Sequence, residues 1–333
     1  MRSNVLLAAL AATMLWAAAP PEPGGDAAQE TGTQVQHTDS NQGAAPVAPG
    51  TKCTLERIAA LDMETEPDGE ATIPVTVNSV RGRWMIDTGN VRSMISGSLA
   101  RRLGIAERRT HTPMAMFGGK PALTEATIDN LEIDQMSAHN FSAMVAPASL
   151  MPTDTIGILS PDIMAAYDVD FDFAAGTFKV FTQNHCPGRV VYWTQSNYAR
   201  VPFHVDDNGH VIVPITIDGK QVEAVIDTGT GTSTMTLSMA KSVFGVDAKT
   251  PGMTSIGEQE INSVSGVATY RYGFASLTFE GVAVSSPAIT IVDDSRMAEG
   301  TTPLILGIQT LRQLHLYIAY GEKALYVTAA EAR

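Results

Sequence analysis

The chain has 333 residues, 44% hydrophobic and 17% charged, enough apolar material for one or two globular domains with substantial cores. Its formal net charge of −13 argues against nucleic acid, or an anionic membrane surface, as the main partner. It has no His-Glu-x-x-His, no paired Cys-x-x-Cys, no Gly-x-Ser-x-Gly and no P-loop, so neither a metal nor a cofactor is expected.

In chain order, Arg2 precedes an apolar run from Val5 to Ala19 that ends Ala17-Ala18-Ala19, the pattern of a secretory signal over residues 1–19. The run is short for a membrane span. Pro20 disfavours cleavage directly after the alanines, which leaves cleavage near Gly25-Asp26-Ala27 or retention as an N-terminal anchor. The expected location is the periplasm or the secreted fraction. Residues 20–50 are Pro, Gly, Ala, Gln and Thr with almost no large apolar side chain, and read as a disordered linker. Thr51–Gly69 is either a propeptide or a first strand and connector. Cys53 and Cys186 flank the segment that follows. In an exported chain they are expected to form a disulfide, the alternative being two unrelated buried thiols.

From Ile73 the chain repeats itself. Ile73-Pro74-Val75-Thr76-Val77 precedes Asp87-Thr88-Gly89, and Val213-Pro214-Ile215-Thr216-Ile217 precedes Asp227-Thr228-Gly229, with 13 residues from Pro to Asp in both copies. A helical stretch starts 11 residues past each Asp, at Ser98 and at Ser238. Ile158-Leu159-Ser160 and Ile305-Leu306-Gly307 open closing segments that align without a gap; the second copy carries about seven extra residues before its segment. Short Val-, Ile- and Thr-rich runs broken by Gly, Pro and Asn favour a mostly β structure. The repeat implies a tandem duplication. It divides the chain into a first lobe at 51–187, an interlobe connection at 188–204 and a second lobe at 205–330.

An acid that ends a buried strand is costly unless its carboxylate has a task. Two of them suggest a pair sharing one proton, able to activate water without metal or nucleophile. On these residues the chain resembles the retropepsin-like and pepsin-like aspartic proteases over about residues 70–182 and 205–328. The distal Gly157-Ile158-Leu159-Ser160-Pro161-Asp162 and Tyr167–Phe173 look like the closing segment of bacterial retropepsin-like domains. The resemblance implies an all-β fold of two similar closed-barrel lobes, each with a short helix. A pseudo-twofold axis would relate them, with the active site at the lobe interface. It implies that Asp87 and Asp227 are the catalytic dyad of an aspartic-type endopeptidase. Thr88 and Thr228 would tie the two loops by reciprocal hydrogen bonds, Gly89 and Gly229 would turn the backbone, and the last strand of each copy would finish its own lobe. One chain holds both aspartates, so a monomer is expected. Its partner would be an extended peptide or unfolded protein, with no nucleic acid and no membrane contact beyond the N-terminal anchor.

Flap candidates are the Gly-rich segments holding Gly118 and Gly119 in the first copy and Ser265 and Gly266 in the second; ordinary surface hairpins are the alternative. Ser93 and Ser233, six past each Asp, match a family Ser/Thr position, and the Thr230 hydroxyl is placed to bond its carboxylate. Asn90 and Ser160 depart from the family. Asn90 would donate to Asp87 or tilt it, and Ser160 would be strained if that position needs positive φ. They motivate the alternative of a weak or inactive peptide-binding protein on the same fold. Met114 and Met116 line either a pocket or the core. The seven histidines read as surface or capping residues, and Asp168, Asp170 and Asp172 as a solvated strand face.

Overall fold

Each copy begins with a hairpin whose turn is written in its sequence. Ala71–Val77 pairs with Val80–Ile86 around Asn78-Ser79, at φ 43° and 68°. Val211–Ile217 pairs with Lys220–Ile226 around Asp218-Gly219, at φ 46° and 78°. Two consecutive residues with positive φ make the tight turn whose twist suits a two-residue hairpin, and Asn, Asp and Gly tolerate it best. This computed structural model describes residues 35–37, 53–65, 69–115, 121–147, 151, 154–261, 264–298 and 300–331. The expected signal peptide, most of the expected linker, Met116, Gly118 and Gly119 lie outside these residues, as does the Met114 side chain. Within the expected linker, Val35–His37 pairs with the strand Val282–Ser285, occupying an edge that would otherwise stand open.

The first lobe closes on itself. Ala71–Val77 pairs with Val80–Ile86, then Thr155–Leu159, Met94–Ser96, Met136–Ala146 and Pro121–Ile133 follow, and Val77 pairs with Leu131 to complete a six-stranded barrel. The second lobe follows the same route, and Ile217 pairs with Leu277 at the equivalent closure. Its two long strands are each interrupted, as Val264–Arg271 with Ser276–Phe279 and Val282–Ser285 with Ile289–Val292. The helix Gly97–Leu103 is capped by Ser96, which accepts the Leu99 N–H at 3.1 Å, and it ends at Gly104 with φ 65°. The matching helix ends at Gly245, 141 residues on, whereas the aspartates are 140 apart. The extra residue is absorbed as a π turn over Ala240–Phe244.

The closing strands do not finish their own lobes. They meet in a shared six-stranded sheet, in the order Ala199–Pro202, Ala324–Ala329, Leu314–Ala319, Asp168–Asp172, Thr177–Phe181, Arg57–Asp62. Leu314–Ala319 is buried along its whole length. A strand apolar on both faces needs cover on both sides, and the central position between two lobes supplies it.

This sheet overturns the reading of the aspartate row as solvated. Asp168 and Asp170 are fully buried. The second copy faces them, with Asp170 paired to Tyr317 and Asp172 to His315. His315 Nε2 lies 2.8 Å from Asp170 Oδ1, His185 Nε2 lies 2.5 Å from Asp168 Oδ2, and Tyr192 donates its hydroxyl proton to Asp170. Trp193 stacks on His315 with ring centres 4.3 Å apart. His185 and His315 are therefore buried partners of these carboxyl groups, not surface or capping residues.

Cys53 and Cys186 form a disulfide with Cα atoms 5.1 Å apart, bridging 133 residues and fastening the two ends of the first copy. Cross-linking so long a loop removes unfolded-state entropy. Cys53→Ser with Cys186→Ser is expected to cost about 3–5 kcal/mol in a urea titration. An unchanged midpoint would show that the clamp adds nothing to stability.

Candidate active site

Each Asp-Thr-Gly turn is the end of an apolar strand met by the closing triplet of its own copy. The Asp87 N–H donates to Leu159 O at 2.9 Å, and the Asp227 N–H to Leu306 O at 3.0 Å. Ile86 and Ile226 are fully buried, so the chain has no freedom to move the next residue outward.

The turns are locked to each other across the lobes. Thr88 Oγ1 donates to Ile226 O at 2.7 Å and accepts the Thr228 N–H at 3.1 Å. Thr228 Oγ1 donates to Ile86 O at 2.8 Å and accepts the Thr88 N–H at 3.2 Å. All four bonds are buried, and both threonines are inaccessible. Thr88→Val keeps the shape but strands the Ile226 carbonyl and the Thr228 N–H. The expected cost is about 2–4 kcal/mol in denaturant unfolding, since two buried groups lose their partners. A loss below about half a kcal/mol would mean that water takes over both groups.

The carboxyls sit on each other's glycines. A Cβ on Gly229 would lie 2.1 Å from Asp87 Cγ, and one on Gly89 would lie 2.2 Å from Asp227 Cγ. No side chain fits at either position, so glycine is required here for space. Asp87 Oδ1 accepts the Gly89 N–H at 2.9 Å, and Asp227 Oδ1 accepts the Gly229 N–H at 2.8 Å. The two side chains are hydrogen-bonded to one another.

Burial, and then repulsion from Asp227, push the Asp87 carboxyl well above the usual carboxylate range. Burial also raises Asp227. There the Gly229 N–H, the hydrogen bond from Asp87, the charge of His210 and the Thr230 N–H work in the opposite direction. Asp87 is 3% exposed, while Asp227 keeps partial access to solvent. Two buried carboxyls this close titrate together, so it is the pair rather than either residue that gains and loses the proton.

The supporting residues divide by role. Ser93 and Ser233 hold the closing segments, accepting the N–H of Ser160 at 3.0 Å and of Gly307 at 3.1 Å. The backbone N–H of Thr230, not its hydroxyl, supports Asp227. The Asn90 amide does not reach Asp87. It donates to Arg92 O at 2.9 Å and Ser160 Oγ at 3.1 Å. Ser160 has φ −125°, ordinary extended backbone, so the expected strain is absent. At the equivalent Gly307 a Cβ would lie 2.6 Å from the Thr232 carbonyl, and glycine is needed there for space. Asn90 and Ser160 are therefore partners of one another behind the dyad. Asp162 was not foreseen as part of this support; it accepts both the Ser93 N–H, at 3.0 Å, and the Ser93 hydroxyl, at 2.6 Å.

Ser265 and Gly266 lie just past the turn of the hairpin Thr254–Ile261/Val264–Arg271, whose first strand is exposed almost throughout. Arg296 donates to the Ser265 carbonyl at 3.0 Å and also to that of Gly266. The hairpin Glu107–Ala115/Pro121–Ile133 is its counterpart. Among the described residues no cluster of His, Cys, Asp and Glu has the arrangement of a metal site. None of the helices among them is long and apolar enough to cross a membrane.

Residues 73–159 match the family described as "gag-polyprotein putative aspartyl protease", and residues 213–310 match "Aspartyl protease". No curated protein matched the chain. Among solved structures, basic 7S globulin from soybean superposes with a TM-score of 0.50 at 10% identity, over 84% of this chain and 95% of that one. Conglutin gamma, a basic 7S globulin from lupine seeds, gives a TM-score of 0.47 at 10% identity and the same coverage. The first of these likenesses concerns the fold alone. Two family matches, one on each copy of the Asp-Thr-Gly unit, place the chain in the retropepsin-like and pepsin-like aspartic protease family, with two such domains in tandem.

Proposed function

We propose that the chain is an exported aspartic endopeptidase acting as a single two-lobed monomer. The observation that supports this best is the meeting of the two buried carboxyls, each packed on the glycine of the other copy's Asp-Thr-Gly turn. Asp227, ionised, takes a proton from a water held between the two groups as its oxygen attacks the peptide carbonyl carbon. Asp87, neutral, gives its proton to the carbonyl oxygen, so a gem-diol forms and the pair exchanges protonation states. The Asp227 proton passes to the amine nitrogen as that C–N bond breaks, and one gem-diol hydroxyl gives its proton to Asp87, so the acid and the amine leave and the starting pair is restored. Positioned proton transfer contributes about 10²–10⁴-fold, and preorganised dipoles in a dry site contribute the larger share.

The substrate we infer is an extended peptide, bound mainly through its backbone as an added strand. The two long hairpins are suited to cover it from either lobe. Export is supported by the Cys53–Cys186 disulfide, which suits an oxidising compartment. The signal-like leader suits the periplasm or the exterior.

Incubation with an unfolded protein mixture across pH 3–8, with and without a pepstatin-like inhibitor, tests the reading. Inhibitor-sensitive cleavage in the acidic range is expected. Peptide binding without cleavage at any pH would replace the enzyme by a peptide-binding protein. Asn90 and Ser160 give that alternative little support, because the Asn90 side chain bonds Ser160 and the Arg92 carbonyl rather than the Asp87 carboxyl.

A further inference from the structure

The duplication lets each lobe serve as a control for the other. In the first lobe Met85, Ile158, Met94 and Met144 are direct neighbours on four adjacent strands. The equivalent row in the second lobe is Val225, Ile305, Thr234 and Thr290. Three methionines thus stand where the second lobe has a valine and two threonines. The rows also differ in cover. Met85, Met94, Met144 and Ile158 are at most 2% exposed, whereas Thr234, Thr290 and Ile305 are half-buried.

Met151 packs on the first row, and with Ala146 it makes up an apolar cluster separate from the barrel core. It is half-buried, so it is the member of the cluster that meets solvent. The cluster lies against the first Asp-Thr-Gly turn. Met85 is two residues before Asp87, on the strand that delivers it. Met94 follows Ser93, whose carbonyl accepts the Met144 N–H at 3.0 Å and whose hydroxyl oxygen accepts the Ser160 N–H at 3.0 Å. Both cysteines are in the disulfide, so no thiol competes with these thioethers for an oxidant.

We propose that this cluster is an oxidation site behind the Asp87 turn: a hydroperoxide converts Met151 to its sulfoxide, which leaves the cluster and unseats the turn. The sulfur lone pair attacks the terminal peroxide oxygen, and the O–O bond breaks. That oxygen stays on sulfur, and its proton leaves with the other oxygen as an alcohol, or as water when the oxidant is hydrogen peroxide. The same electron pair oxidises the sulfur and reduces the peroxide. The sulfoxide is polar, and its oxygen needs a hydrogen-bond donor. The side chains of Met85, Met94, Met144, Ala146 and Ile158 offer none. Keeping the product buried without a partner is unfavourable, so the Met151 side chain moves out and the row beneath it meets water. The second lobe has no such row, so the effect is confined to the Asp87 half. The consequence for catalysis rests on the peptidase reading; the oxidation site does not.

The test follows each methionine separately. The full chain, its disulfide intact, is exposed to dilute hydrogen peroxide. At intervals the sulfoxide at each methionine is counted by peptide mass mapping, and the urea midpoint and peptide cleavage are measured on the same samples. Met151 is expected to oxidise as fast as the half-buried Met253 and Met297 of the second lobe. The urea midpoint should fall as the Met151 sulfoxide forms, and Met85, Met94 and Met144 should oxidise only after it. Met151→Leu keeps the volume and removes the sulfur. Its three inner methionines should oxidise at least about tenfold more slowly, because the local opening that admits peroxide stays rare. Methionine sulfoxide reductase should return the oxidised wild type to its starting midpoint. Inner methionines that oxidise equally fast in wild type and Met151→Leu would overturn the proposal, as would a midpoint indifferent to the Met151 sulfoxide. Should Met151→Leu not fold, the order in the wild type decides: inner methionines oxidised before Met151 sink the proposal, and Met151 first, with recovery by the reductase, supports it. A wild type that never cleaves but shows the ordered, reversible oxidation loses the peptidase reading and keeps the site. Cleavage that survives full oxidation of Met151 keeps the peptidase reading and overturns the proposal.

Discussion

Asp87→Asn is expected to abolish peptide hydrolysis, by at least about 10³-fold, and to make the protein more stable at pH 7. The two effects share a cause. The Asp87 carboxyl is buried beside Asp227, so folding raises its pKa. A carboxyl raised on folding does not destabilise the protein below its ordinary, unfolded pKa, where it is protonated in both states. As pH rises through the window between the ordinary value and the raised one, the unfolded chain ionises first and stability falls. Asparagine has no such titration. Its advantage, about 1–2 kcal/mol at neutrality, should fade as the pH drops towards 4. Urea titrations at pH 4 and pH 7, alongside a cleavage assay, check both halves. Retained cleavage would remove Asp87 from the chemistry. A stability difference independent of pH would mean that Asp87 does not carry the burden described here.

Asp168→Ala is expected to be the most damaging change outside the two Asp-Thr-Gly turns. Asp168 is fully buried and 2.5 Å from His185, whose other ring nitrogen lies 3.4 Å from Glu322. Breaking a buried pair by removing one partner costs about 3–5 kcal/mol, because the survivor stays buried and unpaired. The pair also predicts an alkaline limit. The hydrogen bond that Asp168 accepts raises the His185 pKa, against the opposing effect of burial. A raised histidine contributes stability that is complete below its unfolded pKa and is lost as pH rises through the folded one. Thermal midpoints of the wild type should therefore decline from about pH 6 upwards. Asp168→Ala should start lower and lose most of that slope. A variant as stable as wild type at pH 6 would show that water or Tyr317 compensates for the lost carboxylate.

The parts of the fold that could be read in the sequence are those with local causes. Pro74 and Pro214 at a fixed distance from Asp87 and Asp227, each within a run of apolar and Thr residues, announced a repeated unit in which a buried strand ends in an acid. The equivalence of the copies then supplied the two-lobe architecture, since an acid on each lobe has use only where the lobes meet. What escaped notice depends on the other copy. Alternation along Asp168, Asp170 and Asp172 identified one face of a strand correctly. It carried no information about what that face would meet, and His315 and Tyr317 arrive from about 145 residues further on. Asn90 and Ser160 looked like separate defects because they are 70 residues apart in sequence, whereas in space they form one hydrogen bond.

The sheet that joins the closing strands bears on the history of the molecule. A single-copy ancestor could have assembled with an identical twin, each contributing one acid. Now the strand Asp168–Asp172 is bordered by Leu314–Ala319, and the two carry complementary groups, acids on one and His315 with Tyr317 on the other. Twin first halves would place aspartate against aspartate in that seam, and twin second halves would place histidine against histidine. Divergence has thus made the gene fusion a one-way step, because each half has become the only surface on which the other can settle.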